Sequence, residues 1–336
     1  MTKVVSLLPR QHFEMYEIEK PQQWELIFQY EHGTEDIIKS CKGADFLLVP
    51  AGYPYITAGI LDNIPSISMV QVFGTGFDKV DIQAAASANI PVANTPGVNS
   101  GTVAEFTVGM IIALQRRIVH CDREIKEGRH SEIKQRIIRE GQKEISGTKV
   151  GLIGLGAIGR RVAFIASMLG AIVSYYDPLP LSVEDERELS ARFSSFEEIL
   201  VKNEVISLHL PLTEHTKNLI GARELSLMKK DTLLINTSRG AVVDQHALAD
   251  ALENGNIAGA AIDTLYPEPP LPDHPLLNLS RAASEKLLLT PHIAGVTKRA
   301  FAEMLKEAIL NIEKVTRGGL PKYIVNGIIK PRRTAK

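Results

Sequence analysis

Three side chains far apart in the sequence, Arg239, Glu268 and His292, have the types that one reaction needs. Oxidising an alcohol requires a base to take the hydroxyl proton while a hydride leaves the carbon, and the reverse direction requires the same group as an acid. Histidine serves both directions because its ordinary pKa lies near neutrality. A neighbouring carboxylate fixes the imidazole tautomer, orients the ring and stabilises the imidazolium, a place Glu268 can fill. A guanidinium offers a planar fork to a substrate carboxylate and polarises the adjacent carbonyl, which suits Arg239. Each residue sits in a short segment after an apolar run: Asn236-Thr237-Ser238-Arg239-Gly240, Asp263-Thr264-Leu265-Tyr266-Pro267-Glu268-Pro269 and Thr290-Pro291-His292-Ile293-Ala294-Gly295.

Each of the three also has a plainer reading, as a packed histidine, a salt-bridging arginine or a solvated loop carboxylate. Small or conformationally special neighbours at strand ends, Pro291 and Gly295 around His292 and Ser238 and Gly240 around Arg239, favour chemistry. His209, just past Val205 to Leu208, reads as structural, lining a cofactor crevice at most. His120, His130, His215 and His274 read as surface groups.

A second constellation is Gly154-Leu155-Gly156-Ala157-Ile158-Gly159, preceded by the strand-like Lys149 to Ile153 and followed at once by helical sequence. In that context the glycines of a G-x-G-x-x-G turn permit a tight bend, close approach of backbone to pyrophosphate, and close helix packing. The helix amino terminus then presents amide donors to the phosphates. Asp177 ends the next strand, 18 residues beyond Gly159, where a carboxylate accepts hydrogen bonds from the adenosine ribose and repels a 2′-phosphate. That arrangement points to NAD rather than NADP.

Positioning these groups takes two alternating α/β sets. Val4 to Leu8, Phe46 to Val49, Met69 to Phe73 and Ile90 to Ala93 read as strands of a first parallel sheet. Six more follow, Lys149 to Ile153, Ile172 to Tyr176, Val205 to Leu208, Thr232 to Ile235, Ala260 to Ile262 and Leu287 to Leu289, with helices such as Arg160 to Leu169 and Gln245 to Asn254 between them. A long apolar helix, Thr102 to Arg117, leaves the first set for the second, and its apolar face reads as core or as domain or subunit packing. A final helix, Thr297 to Thr316, returns to complete the first set. The expected organisation is two doubly wound, Rossmann-like domains with a cleft between them: 1–100 plus 296–336, flavodoxin-like and substrate-binding, and 101–295, NAD-binding. The basic tail Lys330 to Lys336 reads as a frayed end.

Bulk composition is consistent with this. Lys and Arg number 38 against 39 Asp and Glu, so no global field collects nucleic acid or an anionic membrane. Cys41 and Cys121 are too few for a disulfide framework and lack metal-binding spacing, so no metal is expected and a reducing cytoplasm is. The short apolar run Val4 to Leu8, closed by Pro9, supports neither a signal peptide nor an anchor.

Taken together, the glycine turn and the segments Asn236 to Asp244, Asp263 to Pro270 and Pro291-His292 resemble the D-isomer-specific 2-hydroxyacid dehydrogenase family, which includes glycerate, glyoxylate/hydroxypyruvate and phosphoglycerate dehydrogenases. Gly74-Thr75-Gly76-Phe77-Asp78 and Asn94-Thr95-Pro96-Gly97 through Ala104-Glu105 extend the resemblance over nearly the whole chain. It implies a catalytic trio of Arg239 for the substrate carboxylate, Glu268 as partner carboxylate and His292 as acid/base. It further implies cofactor contacts from Thr75, Val103, Ala157, Ile158, Asp177, Leu210, Thr237, Ser238, Asp263 and Gly295, alongside Gly154, Gly156, Gly159, Arg239 and His292. Ala51-Gly52-Tyr53 falls where the family grips the substrate carboxylate with backbone amides, and a homodimer is expected.

Two features depart from the family pattern. Arg129 and His130 stand after Gly128 where family members often carry a tryptophan, and the regulatory extension of longer phosphoglycerate dehydrogenases is not expected. One alternative of another class is the C-terminal-binding corepressors, NADH-responsive binding proteins that share the fold and the trio. Formate dehydrogenase relatives carry an amide where Glu268 stands, so the carboxylate here argues against them.

Overall fold

The computed structural model describes residues 1–330, so all but the first residue of the basic tail lies outside the described residues. The chain forms two compact units, Met1–Asn99 together with the chain from Val296, and Ser100–Gly295. Both sheets are entirely parallel.

In the first unit, β1 (Thr2–Ser6), β2 (Trp24–Phe28), β3 (Phe46–Pro50), β4 (Met69–Phe73) and β5 (Val92–Ala93) take the order β2-β1-β3-β4-β5, the flavodoxin-like arrangement. Helices cover both faces, which is why β3 and β4 read as continuous apolar runs rather than alternating ones. Val5, Leu47, Val49, Val70 and Val72 pack beneath Ile37, Ile60 and Leu61 on one side. On the other, Val4, Phe46, Leu48 and Met69 meet Met304, Leu305, Ala308 and Ile312 of the helix Lys298–Thr316, so sequence from the far end of the chain closes this core. The fifth strand, β2, was not among the sequence expectations. Its Trp24-Glu25-Leu26-Ile27-Phe28 mixes charge into a short edge run, and its register, Thr2 against Trp24, comes from pairing with β1.

The second unit holds β6 (Lys149–Ile153), β7 (Ile172–Tyr176), β8 (Ala191–Phe193), β9 (Val205–Leu208), β10 (Leu233–Asn236), β11 (Gly259–Ile262) and β12 (Leu287–Leu289). Their order, β12-β11-β10-β9-β6-β7-β8, is the doubly wound dinucleotide pattern with one strand added at the end nearest β11. Seven strands replace the six expected because β8 has three residues, only Ala191 of them buried, which is too little pattern to read. The helix Ser100–Gln115 buries Ala104, Val108 and Ile111 against Val162, Ala163 and Ala166 of the helix Ala157–Met168, over Val150 and Leu152. Its apolar face is therefore spent on this core. Winding reverses between β6 and β9, where the connections from the two strands diverge and leave a crevice at their carboxyl ends.

Two histidines read as surface groups, His120 and His274, are instead buried, whereas His130 and His215 are exposed. Two further helices, Ile118–Lys126 and His130–Glu140, follow a left-handed residue at Arg117 and were hidden in the sequence by their largely charged surfaces. Among the described residues no helix is long and apolar enough to cross a membrane.

Candidate active site

At the end of β6 the glycine turn opens the helix Ala157–Met168, whose first turn receives no side-chain cap. Its uncapped amide donors are left for a ligand, with the positive end of the helix dipole behind them. A Cβ on Gly154 would lie 2.5 Å from the His209 carbonyl oxygen, at a backbone φ of +94° that L side chains rarely adopt. One on Gly159 would lie 2.3 Å from the carbonyl oxygen of Gly154. Gly156 differs, since a Cβ there meets no protein atom within 4 Å. The turn thus packs tightly on its inner side and stands open on its outer side, a cradle that fits a dinucleotide pyrophosphate.

Half-buried Asp177 ends β7 and ties it to this turn: its Oδ2 accepts from the Leu155 amide at 2.8 Å and its Oδ1 from the Leu179 amide at 3.0 Å. A carboxylate offers about four lone-pair sites, so two amides leave acceptor capacity for ribose hydroxyls. His209 backs the turn from β9. Its Nε2 is 3.0 Å from the Ser207 hydroxyl, and burial pushes its pKa down to about 4, keeping the ring neutral near pH 7. Leu210 follows, with its side chain 3.0 Å from the Cβ position of Gly154.

Further along the sheet, three loops are joined rung by rung. The Asp263 amide donates to the Asn236 carbonyl at 2.9 Å, and the His292 amide donates to the Asp263 carbonyl at 2.7 Å. Asn236 shapes its own loop, its Oδ1 accepting from the Ser238 amide and hydroxyl and its Nδ2 donating to the Arg239 carbonyl at 2.9 Å. Thr107 donates to the Val103 carbonyl at 2.7 Å, so its 2.9 Å contact with Thr237 is one in which Thr237 is the donor. Arg239 Nη1 donates to the Ser238 carbonyl at 2.8 Å. Gly240 lets this loop press against the next, because a Cβ there would be 2.5 Å from the Leu265 carbonyl carbon.

Asp263, 1% exposed, directs its carboxylate at the His292 loop. Oδ1 accepts from the Thr290 hydroxyl at 2.6 Å and from the Ile293 amide at 2.9 Å, while Oδ2 accepts from the Ala294 amide at 3.0 Å. The resemblance implied a cofactor contact for Asp263; within the protein its carboxylate grips the loop. That grip holds His292 in the left-handed region, φ +56°, an uncommon conformation for a residue with a Cβ.

The His292 ring meets Glu268, with Nδ1 2.9 Å from Oε2 and 3.0 Å from Oε1. A carboxylate accepting at Nδ1 places the proton there and leaves Nε2 to exchange a proton with a bound molecule. Both side chains are about two-fifths exposed, 42% and 39%. The structure therefore brings His292 and Glu268 into direct contact. It places Arg239 on the strand-end loop bonded to theirs.

Three supports were not legible in the sequence. Gln245 bridges loops by donating to the Gly240 carbonyl at 3.2 Å and accepting from the Tyr266 amide at 3.3 Å. His274 accepts from the Leu276 amide at Nδ1, so its Nε2 donates to the Tyr266 carbonyl at 3.2 Å and steadies the segment carrying Glu268. Thr290 is the third. Nothing in spacing marks such residues, because their partners, loop backbone atoms and the Asp263 carboxylate, carry no motif of their own.

The first unit has strand-end loops of its own. Ala51 follows β3, its amide donating to the Phe73 carbonyl at 3.1 Å, and Gly52 and Tyr53 beyond it are exposed. Gly74, at φ +128°, allows close approach, since its Cβ position is 2.7 Å from the Ala51 Cβ. Thr75 accepts from Asn94 Nδ2 at its carbonyl, 2.7 Å.

The family model for the D-isomer specific 2-hydroxyacid dehydrogenase NAD binding domain matches residues 108–294, more than half of the chain. A glyoxylate reductase of Korarchaeum cryptofilum is 36% identical over 290 residues, covering 86% of this chain and 85% of that protein. A glycerate dehydrogenase of Methylorubrum extorquens is 33% identical over 330 residues, 97% of this chain and 99% of that one. The crystal structure of the PH0520 protein of Pyrococcus horikoshii OT3 superposes with a TM-score of 0.77 at 31% identity, covering 98% of this chain and 96% of that one. The chain belongs to the D-isomer specific 2-hydroxyacid dehydrogenase family. It is an oxidoreductase that interconverts 2-hydroxy and 2-oxo acids with a nicotinamide cofactor.

Proposed function

We propose that the chain reversibly reduces a small 2-oxo acid of the glyoxylate or hydroxypyruvate class to the D-2-hydroxy acid, with NADH. The observation that carries this reading is the 2.9 Å contact between His292 Nδ1 and Glu268 on a loop anchored by Asp263. Related proteins of similar length named glyoxylate reductase and glycerate dehydrogenase support the substrate class.

Bound nicotinamide supplies the hydride that reaches C2 of the substrate. Arg239 binds the substrate carboxylate, together with the backbone amides of the segment Ala51, Gly52 and Tyr53. His292 delivers a proton from Nε2 to the carbonyl oxygen, and in the reverse direction takes the hydroxyl proton at the same atom. Glu268 holds the imidazolium in place through Nδ1. The cradle of Gly154, Gly156 and Gly159 holds the pyrophosphate, with Ala157 and Ile158 presenting helix amides. Thr75, Val103, Leu210, Thr237, Ser238, Asp263 and Gly295 complete the cofactor contacts, and Asp177 binds the ribose hydroxyls. Residues 101–295 then serve as the dinucleotide domain and 1–100 with 296–336 as the substrate domain.

Preference for NADH follows from charge: Asp177 is followed by Pro178, Leu179, Pro180 and Leu181, with no cation in that run to meet a 2′-phosphate. Exposed Ile118, Val119, Ile125 and Ile138 on the helices after Arg117 support a homodimer, and the two free cysteines support a cytoplasmic setting. The test is a panel of glyoxylate, hydroxypyruvate, pyruvate and branched 2-oxo acids, with phosphoglycerate in reverse, followed by NADH absorbance with NADPH as control. Turnover with glyoxylate or hydroxypyruvate at least 10-fold above the others supports the assignment, and a preference for NADPH overturns the role of Asp177.

A further inference from the structure

The second unit holds a cavity of about 330 Å³ at the end of its sheet opposite the glycine turn. Leu233, Gly259 and Leu287, the first residues of β10, β11 and β12, line it, so it lies at the amino ends of the strands. The glycine turn and the His292 loop stand at the carboxyl ends, a strand length away, about 10–13 Å for four residues.

The lining is cationic. Arg117, His120 and Arg123 recur every third residue at the start of the helix Ile118–Lys126 and so share one side of it. Arg136 of the helix His130–Glu140 and Lys286 just before β12 bring the lining cations to four, against the single carboxylate of Glu285. Nearby acids are already engaged. Glu285 lies 3.7 Å from Arg136 and 3.6 Å from Arg281, Glu140 pairs with both Arg117 and Arg136, and Glu124 accepts from Arg129 at 2.6 and 2.7 Å. Arg123 has no ion-pair partner among the described residues. Lys286 spends one of its three donors on the Leu252 carbonyl, at 3.1 Å.

His120 supplies a second, independent observation. It is 8% exposed and lines the cavity, yet neither ring nitrogen has a hydrogen-bond partner. Its Nε2 stands 4.0 Å from Glu285 Oε2, beyond hydrogen-bond range. A neutral imidazole carries one donor and one acceptor, so a buried ring with both unmet is rare and costly.

We propose that this cavity binds a small organic dianion, a phosphate monoester or a dicarboxylate, seated between the arginines and His120. Guanidinium forks match the oxygens of both groups. An anion beside His120 also favours the doubly protonated ring, in which both nitrogens donate and neither is left unmet. Setting the four lining cations against Glu285 and the shared Glu140 leaves two positive charges, which selects a dianion over a monoanion. Leu114, Val119 and Leu288 line the cavity as well, and that apolar side accommodates a carbon body rather than a bare ion. Bound there, the ligand ties the two helices after Arg117 to the edge of the sheet at β12.

The test is calorimetry on the full-length chain, with NADH at saturation to fill the dinucleotide site and glycerol phosphate, succinate or acetate as titrant. One organic dianion per chain with a dissociation constant of about 1 mM or tighter is expected, and acetate should bind at least 10-fold more weakly. R123E, at an exposed position, and H120A should each weaken the dianion at least 10-fold while 2-oxo acid turnover is retained. Binding of either dianion in this pattern supports the proposal, and the tighter of the two names the source of the charge. Binding that survives both R123E and H120A would place the anion at the substrate site and overturn it. Acetate binding as tightly as the dianions, or no binding of either dianion below about 10 mM, would overturn it equally.

Discussion

Two loops at the carboxyl ends of one sheet are built in opposite ways. The turn at residues 154–159 is defined by missing side chains: its inner glycines touch backbone and its outer glycine faces open space. The loop at residues 290–295 is defined by added side chains, with Asp263 and Thr290 drawing it tight and His292 held in a left-handed conformation. In the proposed function the first recognises a cofactor through main-chain amides and needs only room, and chemistry falls to the second, where one ring must hold a fixed orientation. The difference predicts that substitutions in the turn act on binding, and that substitutions around the loop act on turnover.

The largest expected effect is at the reacting ring. His292→Ala should lower kcat by about 10²–10⁴-fold with NADH affinity unchanged by fluorescence titration; equal losses in both would dissolve the distinction between the two loops.

Within the turn, two glycines should separate packing from binding. Gly159→Ala forces a Cβ to 2.3 Å from a carbonyl oxygen, and overpacking of this kind costs about 1–3 kcal/mol, so both melting temperature and NADH affinity should drop. Gly156→Ala meets no protein atom and should leave the melting temperature within about 2 °C while weakening NADH by 10-fold or more. A Gly156→Ala variant with wild-type affinity would place the pyrophosphate elsewhere.

Asp263→Asn replaces a charged acceptor of three donors. Hydrogen bonds to charged groups are worth about 1.5–3 kcal/mol, so a comparable loss of stability is expected, along with a fall in kcat of about 10–100-fold as His292 loses its fixed position. Thr290→Val, which removes one of those three donors, should do less.

The smallest effect concerns pH. His209 titrates near 4 in the folded chain against an ordinary 6.5, because burial disfavours its charged form. As pH falls through about 6.5 the unfolded chain takes up a proton that the folded chain refuses until about 4, so this contribution is full above 6.5 and is lost on acidification. Denaturant midpoints should decline across that window, and His209→Asn should flatten the decline. An unchanged slope would remove His209 as the titrating group.

Much of the site was legible in the sequence because it depends on local geometry. A strand followed by G-x-G-x-x-G and a helix dictates its own conformation, and Asp177 lies one βα unit away along a predictable path. His292 and Glu268 announced themselves by residue type and by proline and glycine neighbours. Burial was harder to read: His120 and His274 look like surface residues in a charged segment and a loop, yet both are enclosed.

By itself, then, the sequence determined which elements form, since periodicity and turn residues act over a few positions. It also determined which side chains have the chemistry, since that is intrinsic to their type. Only the tertiary structure decided that Asp263 grips the His292 loop, that Gln245 and His274 steady their neighbours, and that His120 is buried. Those arrangements depend on how loops and turns are placed against one another, and that placement arises from strand order and register.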